Sequence, residues 1–137
     1  MAIYNFEILG EPVAKEAVKV SMHGKFVHKY MPKKTRNAMA DIRSQIIAQL
    51  PNGFRPTAKP LNLTVQARRQ RPKSTPKRVK YPITRPDASN YLKLIEDALN
   101  GLVWLDDSQV VRIFAGKEYA TEKHPPGITL MIEELEG

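Results

Sequence analysis

No cysteine occurs in the 137 residues, which excludes disulfide bridges, thiolate metal sites and a cysteine nucleophile. No run of about 18 apolar residues is present, so no membrane-spanning helix is expected. The opening MAIYNFEILG has no charged stretch ahead of an apolar one and alternates as a strand does. A secretion leader is therefore not expected there, and a cytoplasmic protein is. Acids are scarce: 14 stand against 22 lysines and arginines, for a net charge of +8. That excess, with a pI near 9.8, points to a polyanionic partner. The remainder is ordinary for a globular chain, with 42% hydrophobic and 26% charged residues. This length suffices for one compact domain spanning residues 1–137, with a core of its own.

Along the chain, Ile3 to Leu9 reads as an edge or hairpin strand. AVKVSMHGKFVHKY holds two β-prone runs about a turn at Met22-His23-Gly24, which predicts a hairpin. Pro32 to Leu50 is predicted helical: Met39, Ile42, Ile46, Ile47 and Leu50 recur at helical steps, leaving Arg36, Arg43 and Gln45 toward solvent. Leu61, Leu63, Val65 and Ala67 alternate along a strand. Residues 68–85, RRQRPKSTPKRVKYPITR, contain eight lysines or arginines, no acid and prolines at 72, 76 and 82. Such a segment cannot bury a core and is expected to be a solvated arm. A helix from about Asn90 to Asn100 follows, closed by Gly101. After the Asp106–Asp107 corner, SQVVRIF and then GITLMIEEL read as strands. The fold class is expected to be α+β, a mixed β-sheet with two helices packed on one face.

The helix and its surroundings carry the chemistry. Asn90, Lys93, Asp97 and Asn100 share one stripe, which for Asp97 and Asn100 is in the first instance a solvated face. Asp87 precedes the helix, where either it or Ser89 could cap the first turn, at about 1 kcal/mol. LDDSQ likewise reads as a turn. Each acid thus has a structural explanation, but a basic arm leading straight into acids that recur one helix later has a joint one. Carboxylates hold Mg²⁺ through oxygen, the metal activates water and stabilises the leaving oxygen, and a nearby lysine neutralises phosphate. Surrounding cations let a negatively charged pocket attract DNA.

RPDASNYLKLIEDALNGLVWLDDSQVV, residues 85–111, resembles the signature of the RusA-type Holliday junction resolvases. In that family a basic residue precedes D-x-D-N, a lysine follows, then DALNG and DD-x-Q-V. Weaker similarity covers GEPVAKEAVKV, YMPKKTRNAMADI and GKEYATEKHPPGITLMIEE. The resemblance implies a Mg²⁺-dependent endonuclease (Mn²⁺ a plausible substitute) that makes paired, symmetric nicks in four-way DNA junctions. It implies a homodimer in the cytoplasm of a bacterial or phage-infected cell. By position it implies Asp87, Lys93 and Asp107 as catalytic residues, with Asp87, Asp107 and Asp106 as metal ligands. The family's second aspartate falls on Ser89, a weak or water-mediated ligand. Glu96 lies seven residues on, about 10 Å along the helix, too far to replace it directly; Asp106 is the better substitute. An alternative is a branched-DNA-binding protein weakened or inactivated by Ser89.

For phosphate contacts the candidates are Arg68, Arg69, Arg71, Lys73, Lys77, Arg78, Lys80 and Arg85 in the arm. Lys15, Lys33 and Lys34 form a second group, together with Lys19, Lys25 and Arg36. Lys117 and Lys123 are expected to be plain surface charges. Phe26, Tyr30 and Tyr81 interleave with basic residues, whereas Trp104 is expected in the core. His23, His28 and His124 have no ligand spacing. An RNA-binding reading lacks any RNP-like aromatic motif or GXXG loop.

Overall fold

The computed structural model describes residues 2–17 and 19–137, leaving aside the side chain of His23. Val18, inside the expected hairpin, lies outside the described residues. The elements are β1 (Ile3–Leu9), β2 (Lys19–His23), β3 (Phe26–Tyr30), α1 (Lys33–Gln49), β4 (Leu61–Arg69), α2 (Ala88–Leu99), β5 (Val110–Tyr119) and β6 (Gly127–Glu134). A single 3₁₀ turn, Asp107–Gln109, precedes β5. Four strands make a mixed sheet in the order β1-β6-β4-β5. β6 runs antiparallel to β1 and β4, while β4 and β5 are parallel. A parallel pair needs a long crossover, and here α2 with the basic arm before it provides that connection.

Both helices lie over one face, as the periodicities require. From α2, Tyr91, Leu94, Ile95, Ala98 and Leu99 are buried. They meet Leu61, Leu63, Val65 and Ala67 of β4, Ile128, Leu130 and Ile132 of β6, and Ile42 and Ile46 of α1 in one cluster. Trp104 is fully buried in the same cluster, as its sequence context suggests. Each such apolar side chain contributes about 1.5–3 kcal/mol by leaving water.

The two sheet edges differ. On β1, Gln45 of α1 accepts from the Leu9 N–H at 2.8 Å and donates to the Leu9 carbonyl at 3.0 Å. Gln49 does the same at Glu7. Two glutamine amides thereby stand in for a neighbouring strand, and Gln45 is not the solvent-facing residue its position suggests. Arg43 also has a structural task, donating to the Ala98 carbonyl at 2.7 Å, near the C-terminal end of α2. Ile47 of the expected apolar stripe is instead 55% exposed. At the other edge, β5 exposes Val111, Ile113 and Phe114.

Strand lengths exceed the sequence expectation. β4 runs through Arg69, and β5 starts at Val110 but continues to Tyr119. The arm therefore begins at Gln70.

Candidate active site

Three of the eight cations expected in the arm hold the protein together, two of them, Arg68 and Arg69, from the end of β4. Arg68 is 5% exposed; its guanidinium donates to the Pro125 carbonyl, to Thr129 Oγ1 and to the Glu7 carboxylate. Arg68 is therefore withdrawn as a phosphate contact, because a buried guanidinium with three partners has no face left for DNA. Arg69 donates to the Thr84 carbonyl at 3.0 Å, drawing the end of the arm back to the sheet. Arg71 donates to the carbonyls of Pro76 and Val79 and lies 5.0 Å from the centre of the Tyr119 ring. Lys117, expected to be a plain surface charge, donates to the carbonyls of Thr84 and Pro86 at 2.8 and 3.0 Å. It tethers the chain just before Asp87. Lys73, Lys77, Arg78, Lys80 and Arg85 remain exposed.

Where the arm returns, an open groove of about 460 Å³ lies at the start of α2, lined in part by Lys15, Lys34, Arg69, Arg85, Asn90 and Tyr91. A second groove, lined by Lys15, Glu16, Ala17, Asn90 and Lys93, adjoins it through shared residues. The connector after β1 fits along α2: the Lys15 N–H donates to the Asn90 carbonyl at 3.1 Å, and its Nζ pairs with Asp97 at 2.6 Å. Asp97 thus positions a cation rather than merely facing solvent. Lys33, by contrast, is exposed at the first position of α1.

Asp87 takes the N-cap position of α2, but its side chain makes no capping bond, and the first turn closes through its backbone carbonyl to the Asn90 N–H. Capping therefore does not explain the carboxylate. Asp87, Ser89 and Lys93 are all exposed at this end of the helix.

The second acidic element is built differently. Asp106 is the side-chain cap of the 3₁₀ turn: it accepts from the Ser108 N–H at 2.9 Å and from the Ser108 hydroxyl, while Gln109 reaches back to the Asp106 N–H. The Ser108 hydroxyl bond, then the backbone bond, hold the Asp106 carboxyl below its usual range. Gln109 also donates to the carbonyls of Thr57 and Lys59, which pins the corner to the loop before β4. Asp107 accepts from the buried Trp104 indole N–H at 2.7 Å through Oδ1. The corner is thus rigid, with Asp106 committed to its turn and Asp107 aimed by Trp104.

Glu96 is the residue that spacing alone undervalued. Burial pushes its carboxyl above the usual Glu range, and the charges of Asp107 and Asp97 push it further. It belongs to the Asp107 end of α2, nine residues or about 13 Å along the axis from Asp87. In metal-free buffer Glu96→Gln is expected to raise Tm at pH 7. A raised folded-state value means the native protein holds its proton longer than the unfolded chain, so ionisation costs stability as pH rises above the ordinary Glu range. The Tm gap between wild type and variant should close as pH falls below that range, which a melting series across pH checks.

One protomer does not gather all the carboxylates. Among the described residues no three His, Cys, Asp or Glu side chains stand close enough to hold a metal together. Asp87 is the N-cap of α2, and the charge of Asp107 is felt at Glu96 later in the same helix. Hard oxygen donors nevertheless suit Mg²⁺, which keeps several waters and commonly takes only one or two carboxylates beside substrate phosphate.

The sequence profile of endodeoxyribonuclease RusA matches residues 10–133. The chain belongs to this family. The match spans both acidic elements, the arm and both helices, and it places the protein among DNA-cutting endonucleases, with Holliday junction resolution implied. The chain is also similar to the uncharacterized protein YqaN of Bacillus subtilis (strain 168), 32% identical over 148 residues that cover 98% of this chain and 99% of that one. No helix among the described residues is long and apolar enough to cross a membrane.

Proposed function

We propose that this RusA-family protein is a metal-dependent endonuclease that resolves four-way DNA junctions by paired symmetric nicks, as a homodimer. The observation that carries the reading is Asp87: exposed in the chain between Pro86 and Asn90, which help line the groove, its carboxylate takes no part in capping its own helix. Asp87 and Asp107 would hold Mg²⁺ or Mn²⁺, with Ser89 contributing through a water. When bound, the ion supplies Lewis acidity at the phosphate and a more acidic water. Lys93 neutralises the phosphate charge that builds during cleavage, while Lys34 and Arg85 orient the strand. Asp106 fixes the corner that presents Asp107.

A homodimer suits a branched substrate whose two equivalent strands must both be cut. The open β5 edge, with Val111, Ile113 and Phe114 exposed, is the surface we assign to it, since the β1 edge is occupied by glutamines.

Ser89 in place of the family aspartate and the absence of a three-carboxylate cluster among the described residues favour one rival, a branched-DNA binder with little or no cleavage. The two readings separate in a cleavage assay on synthetic four-way junctions, replication forks, flaps and linear duplex. We expect Mg²⁺-dependent cutting of the four-way junction in preference to the others, and a gain in rate at low Mg²⁺ for Ser89→Asp. Cutting by Ser89→Asp but none by the wild type would establish the rival.

A further inference from the structure

The β2–β3 hairpin has no counterpart in the chemistry described so far. It forms a sheet of its own, with Lys19 opposite Tyr30, Met22 opposite Val27 and His23 opposite Phe26. Gly24, at φ 63°, is the first residue of its two-residue turn with Lys25, and a positive φ at that position is what a tight hairpin turn requires. Every residue of β3 is exposed. Val20 is 57% exposed, Met22 66% and, beside the turn, Phe26 73%. Isolated two-stranded hairpins are marginal in water, and one carrying this much bare apolar surface is built to be covered.

Charge identifies the cover. Between Lys19 and Tyr30 there are three lysines and no acid. The hairpin joins the connector that carries Lys15 to the start of α1, where Lys34 lines the groove. Its root is therefore continuous with the groove at the start of α2, where four cations, Lys15, Lys34, Arg69 and Arg85, outnumber two acids, Glu11 and Glu16. A basic finger with an apolar tip, rooted beside that groove, matches DNA at a point where base pairs part. There unstacked bases offer apolar faces and the flanking phosphates offer negative charge.

We propose that the β2–β3 hairpin is an insertion finger for the branch point, with Phe26 stacking on an unpaired base and Lys19, Lys25 and Lys29 holding the flanking phosphates. The proposal rests on the branched-DNA reading above and adds the residues that select the branch. A linear duplex has no opening for the finger, so the finger contributes affinity only at a junction.

The test uses the full chain and a four-way junction carrying 2-aminopurine at the branch point, in EDTA. Wild-type protein should raise the 2-aminopurine fluorescence as the base unstacks. Phe26→Ala should lose most of that rise and weaken junction binding by about tenfold, with linear-duplex affinity unchanged. Phe26→Trp should restore both, and its added tryptophan emission should be quenched by the junction. Fluorescence and affinity that are unchanged in Phe26→Ala would overturn the proposal, as would a Phe26→Trp emission indifferent to the junction. A loss of dimer in sedimentation for Phe26→Ala, with the fluorescence rise intact, would overturn it in favour of a second copy of the chain as the occupant. If the wild type itself binds no junction, the functional reading fails first; if it binds and cuts but ignores Phe26, only the finger fails.

Discussion

Asp107→Asn is expected to reduce junction cleavage in Mg²⁺ by about three orders of magnitude, the equivalent of roughly 4 kcal/mol of lost transition-state stabilisation by the metal. Binding of the junction should persist. Asparagine is the informative choice because of Trp104. The buried indole N–H donates to Asp107 Oδ1 at 2.7 Å, and the amide oxygen of asparagine can accept the same bond. Alanine would leave that donor without a partner, at about 1–3 kcal/mol, and would mix a folding defect into the kinetics. Asp107→Asn should therefore melt close to wild type while failing to cut. If it cuts at more than about a tenth of the wild-type rate, a loss of under roughly 1.4 kcal/mol, the corner is structural and the metal assignment is wrong. Asp106→Asn should have a milder effect, because its carboxylate serves the turn through Ser108.

Arg68→Met should destabilise the fold by about 1–3 kcal/mol, the scale of leaving a buried hydrogen-bond partner unsatisfied, and lower Tm by roughly 3–10 °C for a chain of this size. It should leave DNA affinity and its salt dependence unchanged. Met preserves the apolar stem but strands the Pro125 carbonyl, while Thr129 and Glu7 keep the bond between them. Arg78→Gln is the contrasting control: Arg78 is exposed, so its loss should reduce the salt slope of duplex binding by about 0.9 and leave Tm in place. Thermal melts and salt titrations of the two variants separate the roles. A flatter salt slope for Arg68→Met would return that residue to the DNA-binding surface.

Arg68 also shows why part of the molecule was not legible in the chain. In sequence it opens a run of cations, and nothing local distinguishes it from Arg69 or Arg71. Its burial comes from β6, where it pairs with Gly127; a Cβ at Gly127 would lie 2.4 Å from the Ile8 carbonyl oxygen and 3.2 Å from the Arg68 guanidinium. The room for Arg68 is thus created almost sixty positions away. The role of Lys117 is hidden in the chain for the same reason, since its partners Thr84 and Pro86 belong to the arm's return. The helices and central strands were legible because their apolar spacing is local: Leu61, Leu63, Val65 and Ala67 alternate, and α1 and α2 repeat at helical steps.

The acids divide along the same line. That Asp106 and Ser108 would close a turn follows from residue preference, and the structure forms that turn. That Asp87 would leave its helix uncapped depends on backbone geometry, and the charge around Glu96 depends on where the Asp107 corner folds back. Sequence spacing places Asp87, Lys93 and Asp107 in register with the family motif, while the structure adds that the charge of Asp107 acts on Glu96 of α2. Among the described residues no three such side chains gather into a metal cluster, so joint use of a metal by Asp87 and Asp107 belongs to the proposal rather than to the fold.

The most direct measurement is a single-turnover cleavage reaction on one synthetic four-way junction, with each strand end-labelled in turn, in Mg²⁺ and in EDTA. The account predicts nicks in Mg²⁺ at symmetry-related positions on two opposing strands, and none in EDTA. Binding without any nick in Mg²⁺ or Mn²⁺, or nicks that persist in EDTA, would contradict it.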